Sequence, residues 1–129
     1  MAAKKIMFST EARNALERGI GIVGRAVSVS FGPKGRYALL DRKNGKLVCV
    51  DDGVTIAKEI VLRDDGFANA GAQLIKESSA KTNDVAGDGT TTSAILTWGL
   101  VREAQKFLAS GFNPVRLRKE LEIFLLNSK

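Results

Sequence analysis

Apolar residues recur every three or four positions along most of this 129-residue sequence, and this spacing constrains the fold more than any other feature. Such a repeat places the apolar side chains on one face of an α-helix, so each run predicts a helix that packs on one side. Long runs extend over 9–31, 67–81, 90–109 and 114–129, with a shorter one over 53–60. The sequence therefore predicts a mainly α, multihelical fold.

Residues typical of helix ends separate these runs. Ser9 is the predicted N-cap of the first helix, and Gly32-Pro33-Lys34-Gly35 is predicted to end it, with Gly35 permitting the turn. A loop is predicted over 82–89. Ser110-Gly111 should end the fourth helix, and Asn113 should cap the fifth, with Pro114 at its first position.

One segment has a different pattern. Short β-prone runs, Tyr37 to Leu40 and Leu47 to Val50, flank a polar stretch that contains Asn44-Gly45. Because Asn-Gly tolerates the positive φ angles of a tight turn, the segment predicts a small β-hairpin.

Composition excludes several classes of functional site. Apolar residues make up 44% of the chain and charged residues 26%, which is typical of globular proteins. With one cysteine, Cys49, and no histidine, a zinc cluster and a His-based catalytic centre are excluded. The first residues lack a long apolar region, and no transmembrane run occurs, so a reducing, cytoplasmic location without a membrane partner is expected.

Net charge leaves one alternative open. The chain carries +6, and five basic residues lie close together: Lys34, Arg36, Arg42, Lys43 and Lys46. A basic patch is typical of nucleic-acid-binding modules. Acidic residues interleave elsewhere and no set of stacking aromatics accompanies the patch, so we expect no nucleic-acid partner and keep this class as an alternative.

A second alternative is a dinucleotide-binding domain. Gly19 to Gly24 matches the GxGxxG pattern, and Asp41 follows 17 residues after the last glycine. That fingerprint requires a strand before the glycines, whereas residues 12–18 continue a helical stripe. The sequence favours a helix through all three glycines.

Three segments have residue types suited to a phosphate ligand. Gly87-Asp88-Gly89-Thr90-Thr91-Thr92 combines glycines, hydroxyls and a helix start, which attract phosphate oxygens, and Asp88 is placed to bind the accompanying magnesium. Ser30 to Arg36 forms a turn with exposed backbone, and Asp52 is suited to orienting a water for attack on a phosphate. Taken singly, the same residues are more typical of helix caps and turns than of a ligand site.

Taken together, the three segments resemble group I (GroEL-type) chaperonins. The matching blocks are Gly32-Pro33-Lys34-Gly35-Arg36, then Asp52 to Ile60, then Lys81 to Thr92, in the family's order and at nearly its spacing. The resemblance continues through Asn69-Ala70-Gly71-Ala72 and Ala109 to Pro114, and several details look similar to cyanobacterial and plastid members, for which a stromal location would apply.

The resemblance implies an ATP-hydrolysing chaperone subunit that assists protein folding. It implies a homo-oligomeric double ring, a lid co-chaperonin and unfolded polypeptide substrates, with ATP, Mg²⁺ and K⁺ as candidate cofactors. By this similarity Asp52 would be catalytic and Asp88 would bind magnesium. The nucleotide-binding residues would be Ser30, Phe31, Gly32, Pro33, Asp51, Asp88, Gly89, Thr90, Thr91 and Thr92.

The same resemblance assigns residues 1–129 to the N-terminal part of the equatorial, ATP-binding domain, without the intermediate and apical domains. We therefore expect the chain alone to be inactive. Asp51 departs from the usual Lys or Asn of the family, and its added negative charge should weaken nucleotide binding unless a cation is held nearby.

Overall fold

The computed structural model describes residues 6–42 and 45–129. Within these residues the chain forms five helices and one hairpin, so the predicted mainly α fold with one small β-hairpin is confirmed. In chain order the elements are α1 (Ser9–Ser28), β1 (Ala38–Arg42), β2 (Lys46–Val50), α2 (Gly53–Glu59), α3 (Gly66–Ala86), α4 (Thr90–Ala109) and α5 (Pro114–Asn127).

Both ends of α1 differ from the prediction. The N-cap is Phe8, which provides no side-chain cap, and Ser9 already lies inside the helix, so the assignment of Ser9 as the cap was wrong. At the other end, the Ser30 amide turns back to the Val27 carbonyl at 3.1 Å, and the Phe31 amide turns back to Ser28 at 3.2 Å. These three-residue bonds tighten the backbone, and the helix ends at Ser28 rather than Phe31.

The turn after α1 depends on two glycines in different ways. Gly32 has a φ of 79°, in the left-handed region that favours glycine. Gly35 does not; its amide donates to the Gly32 carbonyl at 2.9 Å, and a Cβ on Gly35 would collide with the Ser30 carbonyl. The predicted turn is confirmed, but the positive φ lies at Gly32 rather than Gly35.

Strands β1 and β2 pair antiparallel, from Ala38 opposite Val50 to Arg42 opposite Lys46. Gly45 has a φ of 68°, as the predicted tight turn requires. Its partner in that turn, Asn44, lies outside the described residues, as does Lys43 of the basic cluster.

Helix α3 is longer than predicted and continues to Ala86. Its C-cap is Gly87, whose φ of 69° is left-handed and whose amide donates to the Asn83 carbonyl at 2.8 Å. The predicted loop over 82–89 was therefore wrong for residues 82–86, and only 87–89 connect α3 to α4. Thr82 lies inside the helix, where its hydroxyl bonds back to the Ser78 carbonyl at 3.0 Å.

The chain divides into two compact units at Trp98 and Gly99, inside α4. The core of the first unit joins α1, α2 and α3, and its largest fully buried side chains are Val23, Val27, Ile56 and Ile75.

Helices α1 and α3 approach closely at two glycines. A Cβ on Gly19 would collide with the Ala68 carbonyl, and one on Gly71 would collide with the Leu16 carbonyl.

The second unit contains the end of α4 and the whole of α5. Gly111, with a φ of 91°, ends α4, and the Asn113 side chain accepts the Val115 amide at 2.8 Å, with Pro114 at the first helical position. These predicted boundaries are confirmed. The Phe107 and Phe112 rings meet edge to face at 6.2 Å, and the Arg116 guanidinium lies 5.6 Å from the Phe112 ring centroid.

Candidate functional site

Gly53, directly after Asp52, contacts both the start of α4 and the end of α1. It is buried at the start of α2, and a Cβ added there would collide with Thr91 Oγ1 of α4 and lie 3.0 Å from Val27 Cγ1 of α1. The Ser30 hydroxyl, directly after α1, donates to the Val27 carbonyl at 2.9 Å. The structure thus brings the starts of α2 and α4 to the end of α1.

Asp52 caps α2 with its carboxylate. Oδ2 accepts the Thr55 amide at 3.0 Å and the Thr55 hydroxyl at 2.7 Å, while Oδ1 accepts the Val54 amide at 3.4 Å. The Thr55 hydroxyl bond is the main cause of a lowered pKa for Asp52, with the backbone amides acting in the same direction. The carboxylate is exposed and stays ionised, so it can accept hydrogen bonds from water as well as from the helix.

Asp88 lies between two left-handed glycines in the connection from α3 to α4. Gly87 and Gly89 have φ values of 69° and 76°, and no atom lies within 4 Å of a Cβ on either. Asp88 Oδ1 accepts the Gly89 amide at 2.6 Å, and all three residues are exposed. The backbone of this loop is therefore open to a ligand.

Helix α4 begins at Thr90, as predicted. The first turn of a helix leaves its N–H groups without intrahelical partners, so Thr90, Thr91 and Thr92 present amide donors and hydroxyls together. Thr90 and Thr91 are half-buried and Thr92 is exposed. On the inner side, the buried Ser79 hydroxyl donates to the Thr90 carbonyl at 3.2 Å and anchors the start of α4 to α3.

A chain of hydroxyls joins α3 to α4 behind this loop. Ser78 Oγ lies 3.1 Å from Ser93 Oγ and 2.9 Å from Thr97 Oγ1, and the Thr82 hydroxyl donates to Ser93 at 2.9 Å. These bonds set the two helices against each other on either side of the Gly87–Gly89 connection. This hydroxyl network was not predicted from the sequence, because its members lie 4 to 19 positions apart and each is an ordinary helix residue by itself.

The remaining candidates lie at the surface. Phe31, Gly32 and Pro33 are exposed in the turn after α1, and Asp51 is exposed just before the cap of α2. Ser30, at the start of this turn, bonds to Val27, and Val27 in turn lies near Gly53. Sequence reasoning also missed Gly53 and Thr55 as part of the site, although a glycine directly after a capping aspartate was the available signal.

The GxGxxG segment lies wholly inside α1, as the helical stripe predicted. The residues directly before it, 9–18, belong to the same continuous helix and not to a strand. Its glycines serve packing: Gly19 meets α3, and a Cβ on Gly24 would lie 2.7 Å from Trp98 Cγ of α4. This segment therefore lacks the geometry of a dinucleotide fingerprint.

The sequence model that defines the TCP-1/cpn60 chaperonin family matches residues 23–125 of this chain. These residues include all three candidate segments. This is a multihelical protein with an open glycine and threonine loop at a helix start, and the chain belongs to the TCP-1/cpn60 chaperonin family. Chaperonins assist the folding of other polypeptides, are ATPases and work as oligomeric rings. Among residues 6–42 and 45–129, no helix is long and apolar enough to cross a membrane.

Proposed function

We propose that the surface around Gly53 binds magnesium ATP and that this segment contributes to an ATP-driven chaperonin. The observation that carries the proposal is the contact at Gly53 of the α2 start with Thr91 at the α4 start and with Val27 near the end of α1. Polar groups that converge from several elements are typical of a ligand site, whereas a single capped helix is not.

The donor set fits a magnesium nucleotide. The open amides of the Gly87–Gly89 loop and the first turn of α4 suit phosphate oxygens, with the three threonine hydroxyls as further donors. Among the described residues, no cluster of three or more metal-ligating side chains occurs. Proteins usually hold magnesium through one or two carboxylates together with the substrate's phosphates, and Asp88 is the carboxylate in the loop. When bound, the ion would neutralise charge on the phosphates.

Asp52 is proposed to orient the attacking water. Thr55 fixes the carboxylate through Oδ2, so Oδ1, with one longer bond at 3.4 Å, keeps capacity to accept from water. Its lowered pKa keeps it ionised at neutral pH. In a ring-competent preparation carrying this segment, Asp52→Ala should leave nucleotide affinity unchanged and slow hydrolysis. The lid co-chaperonin and K⁺ belong to the same proposal by family resemblance.

Calorimetric titration with ATP, with and without Mg²⁺, tests the proposed site. Asp88→Ala should abolish the magnesium-dependent heat, because the variant lacks the loop's carboxylate. Asp84→Ala is the matched control, since Asp84 is exposed near the end of α3 and lies outside the loop. Equal Mg-ATP affinity in the wild type and Asp88→Ala would overturn the assignment.

A further inference from the structure

Lys76 of α3 reaches the C-terminal end of α2. Its Nζ donates to the Ile60 carbonyl and lies 3.4 Å from the Lys58 carbonyl. Lys58 is in the last turn of α2, and Ile60 is its C-cap, where the chain leaves the helix in an extended conformation. The last carbonyls of a helix lack intrahelical N–H partners, so the ammonium group provides donors that the helix itself does not have.

The chemistry of this contact favours a fixed helix end. A cation at a helix C-terminus is stabilised by the helix dipole, and hydrogen bonds from a charged donor are stronger than neutral ones. Lys76 is half-buried, and desolvation lowers its pKa, so water only partly solvates the ammonium. The carbonyls of α2 therefore replace part of its hydration.

The opposite end of α2 carries the proposed site residues. The helix has seven residues, so Asp52 and Gly53 lie about 10 Å from its C-terminal end at 1.5 Å per residue. Between the two ends, Ile56 and Ala57 are buried in the core. A helix this short moves as one rigid piece, and a displacement at Ile60 is transmitted to Gly53.

We infer that Lys76 is a positioning residue that holds the C-terminal end of α2 and thereby sets Asp52 and Gly53 against Thr91. The ligand of that site rests on the proposed function, whereas the Lys76 contact does not. Lys76 is one helix removed from the candidate ligand-binding residues and acts through the orientation of α2.

Hydrogen exchange tests the contact without any nucleotide. Lys76→Met keeps the length of the side chain and removes the ammonium, so exchange at the Ile56 and Ile60 amides should accelerate about ten-fold or more, as expected for loss of a charged hydrogen bond. Lys76→Arg restores a charged donor and should return both amides to near the wild-type rate. Lys119→Met, an exposed lysine on α5, is the control for loss of one positive charge and should leave both amides unchanged.

The Val23 amide of α1 is the internal reference, because Val23 is fully buried in the core of the same unit and lies in a different helix. Equal acceleration at Val23 and Ile60 would show general destabilisation and overturn the inference, as would an unchanged rate at Ile60 in Lys76→Met. If Lys76→Met does not fold, Lys76→Gln replaces it, since a neutral donor should give a smaller acceleration in the same amides.

Mg-ATP titration of the same variants then tests positioning. Lys76→Met should weaken affinity about ten-fold, the size of effect expected for one misplaced interaction, with recovery in Lys76→Arg. Altered exchange with unchanged affinity would show that α2 does not shape the site and would overturn the positioning role. If the wild type itself binds no Mg-ATP, the proposed function fails, and the exchange experiment alone decides whether Lys76 holds α2.

Discussion

Gly53 lies directly against Thr91, so the first residue of α2 and the first turn of α4 touch without an intervening side chain. A Cβ on Gly53 would collide with Thr91 Oγ1 and would lie 3.0 Å from both Thr91 Cβ and Val27 Cγ1. Glycine is required here by space and not by backbone conformation, because Gly53 is an ordinary helical residue. The contact makes the spacing of α1, α2 and α4 sensitive to one methyl group.

Gly53→Ala should therefore destabilise the protein, even though alanine is the better helix former. Overpacking of this kind costs about 1–3 kcal/mol, more than the roughly 1 kcal/mol that alanine contributes by propensity. Urea unfolding measures the difference. Gly66→Ala is the control, since nothing lies within 4 Å of its added Cβ. Thr91→Ala should recover part of the loss in the double variant, and a Gly53→Ala protein as stable as the wild type would contradict the contact.

Trp98 packs on a stretch of α1 where Gly21 and Gly24 have no side chains. A Cβ on Gly24 would lie 2.7 Å from Trp98 Cγ and Cδ2, and one on Gly21 would lie 3.5 Å from the indole Nε1. Gly24→Ala should displace the ring, reduce stability by about 1–3 kcal/mol and shift Trp98 fluorescence. Gly99→Ala, on the same helix but in open space, should instead stabilise by about 0.5–1 kcal/mol. Unchanged emission in Gly24→Ala would show that the ring does not lie there.

The packing roles of these glycines could not be predicted from the sequence. The helical repeat predicted α1 through its three glycines, and the cap at Asn113 and the presence of the hairpin followed from local residue types. No local signal distinguishes a glycine that softens a helix from one on which another helix packs, because the difference lies in Ala68 and Trp98, far along the chain. The end of α3 was mispredicted for a similar reason: polar residues 82–86 are typical of loops, yet Thr82 is held in the helix by Ser78 and Ser93.

The candidate site was likewise predictable from the sequence only in part. Asp88 and the three threonines were predictable because adjacent residues carry the chemistry. The contact of Thr91 with Gly53, the residue after Asp52, depends on how α2 packs in the core, which no spacing in the sequence encodes. The hydrogen bond from Lys76 to the Ile60 carbonyl at the end of α2 likewise forms only after the helices have packed together.

Acid should weaken the cap of α2. The Thr55 hydroxyl, followed by the backbone amides, lowers the pKa of Asp52 below its ordinary value of 3.8. With a native-state pKa below the unfolded-state value, the native state binds fewer protons, so this stabilisation is present above about pH 4 and is lost as the pH falls through the native pKa. Asp52→Asn keeps a capping oxygen without titrating.

The free energy of unfolding should therefore fall less steeply below pH 4 in Asp52→Asn than in the wild type. Urea unfolding at pH 7, 4, 3 and 2.5 measures the two slopes. Thr55→Val, which removes the hydroxyl and keeps the side-chain volume, should give an intermediate slope. Parallel curves for the wild type and Asp52→Asn would show that the carboxylate is not held as the structure indicates.

Self-association is expected from the apolar surface of the second unit. In α5, Phe124, Leu125 and Leu126 are 68%, 61% and 70% exposed, and Phe107 of α4 is 55% exposed. At about 25 cal/mol per Å², covering even a few hundred Å² of such surface would stabilise an assembly by several kcal/mol. The two-stranded sheet adds unpaired edge groups that another chain can meet. Light scattering should show oligomers, and thermal melting should give a broad transition. Leu125→Glu with Leu126→Lys should shift the mass toward monomer, whereas the charge swap Lys119→Glu with Glu120→Lys should not. A monodisperse wild-type monomer with a sharp cooperative melt would contradict the prediction.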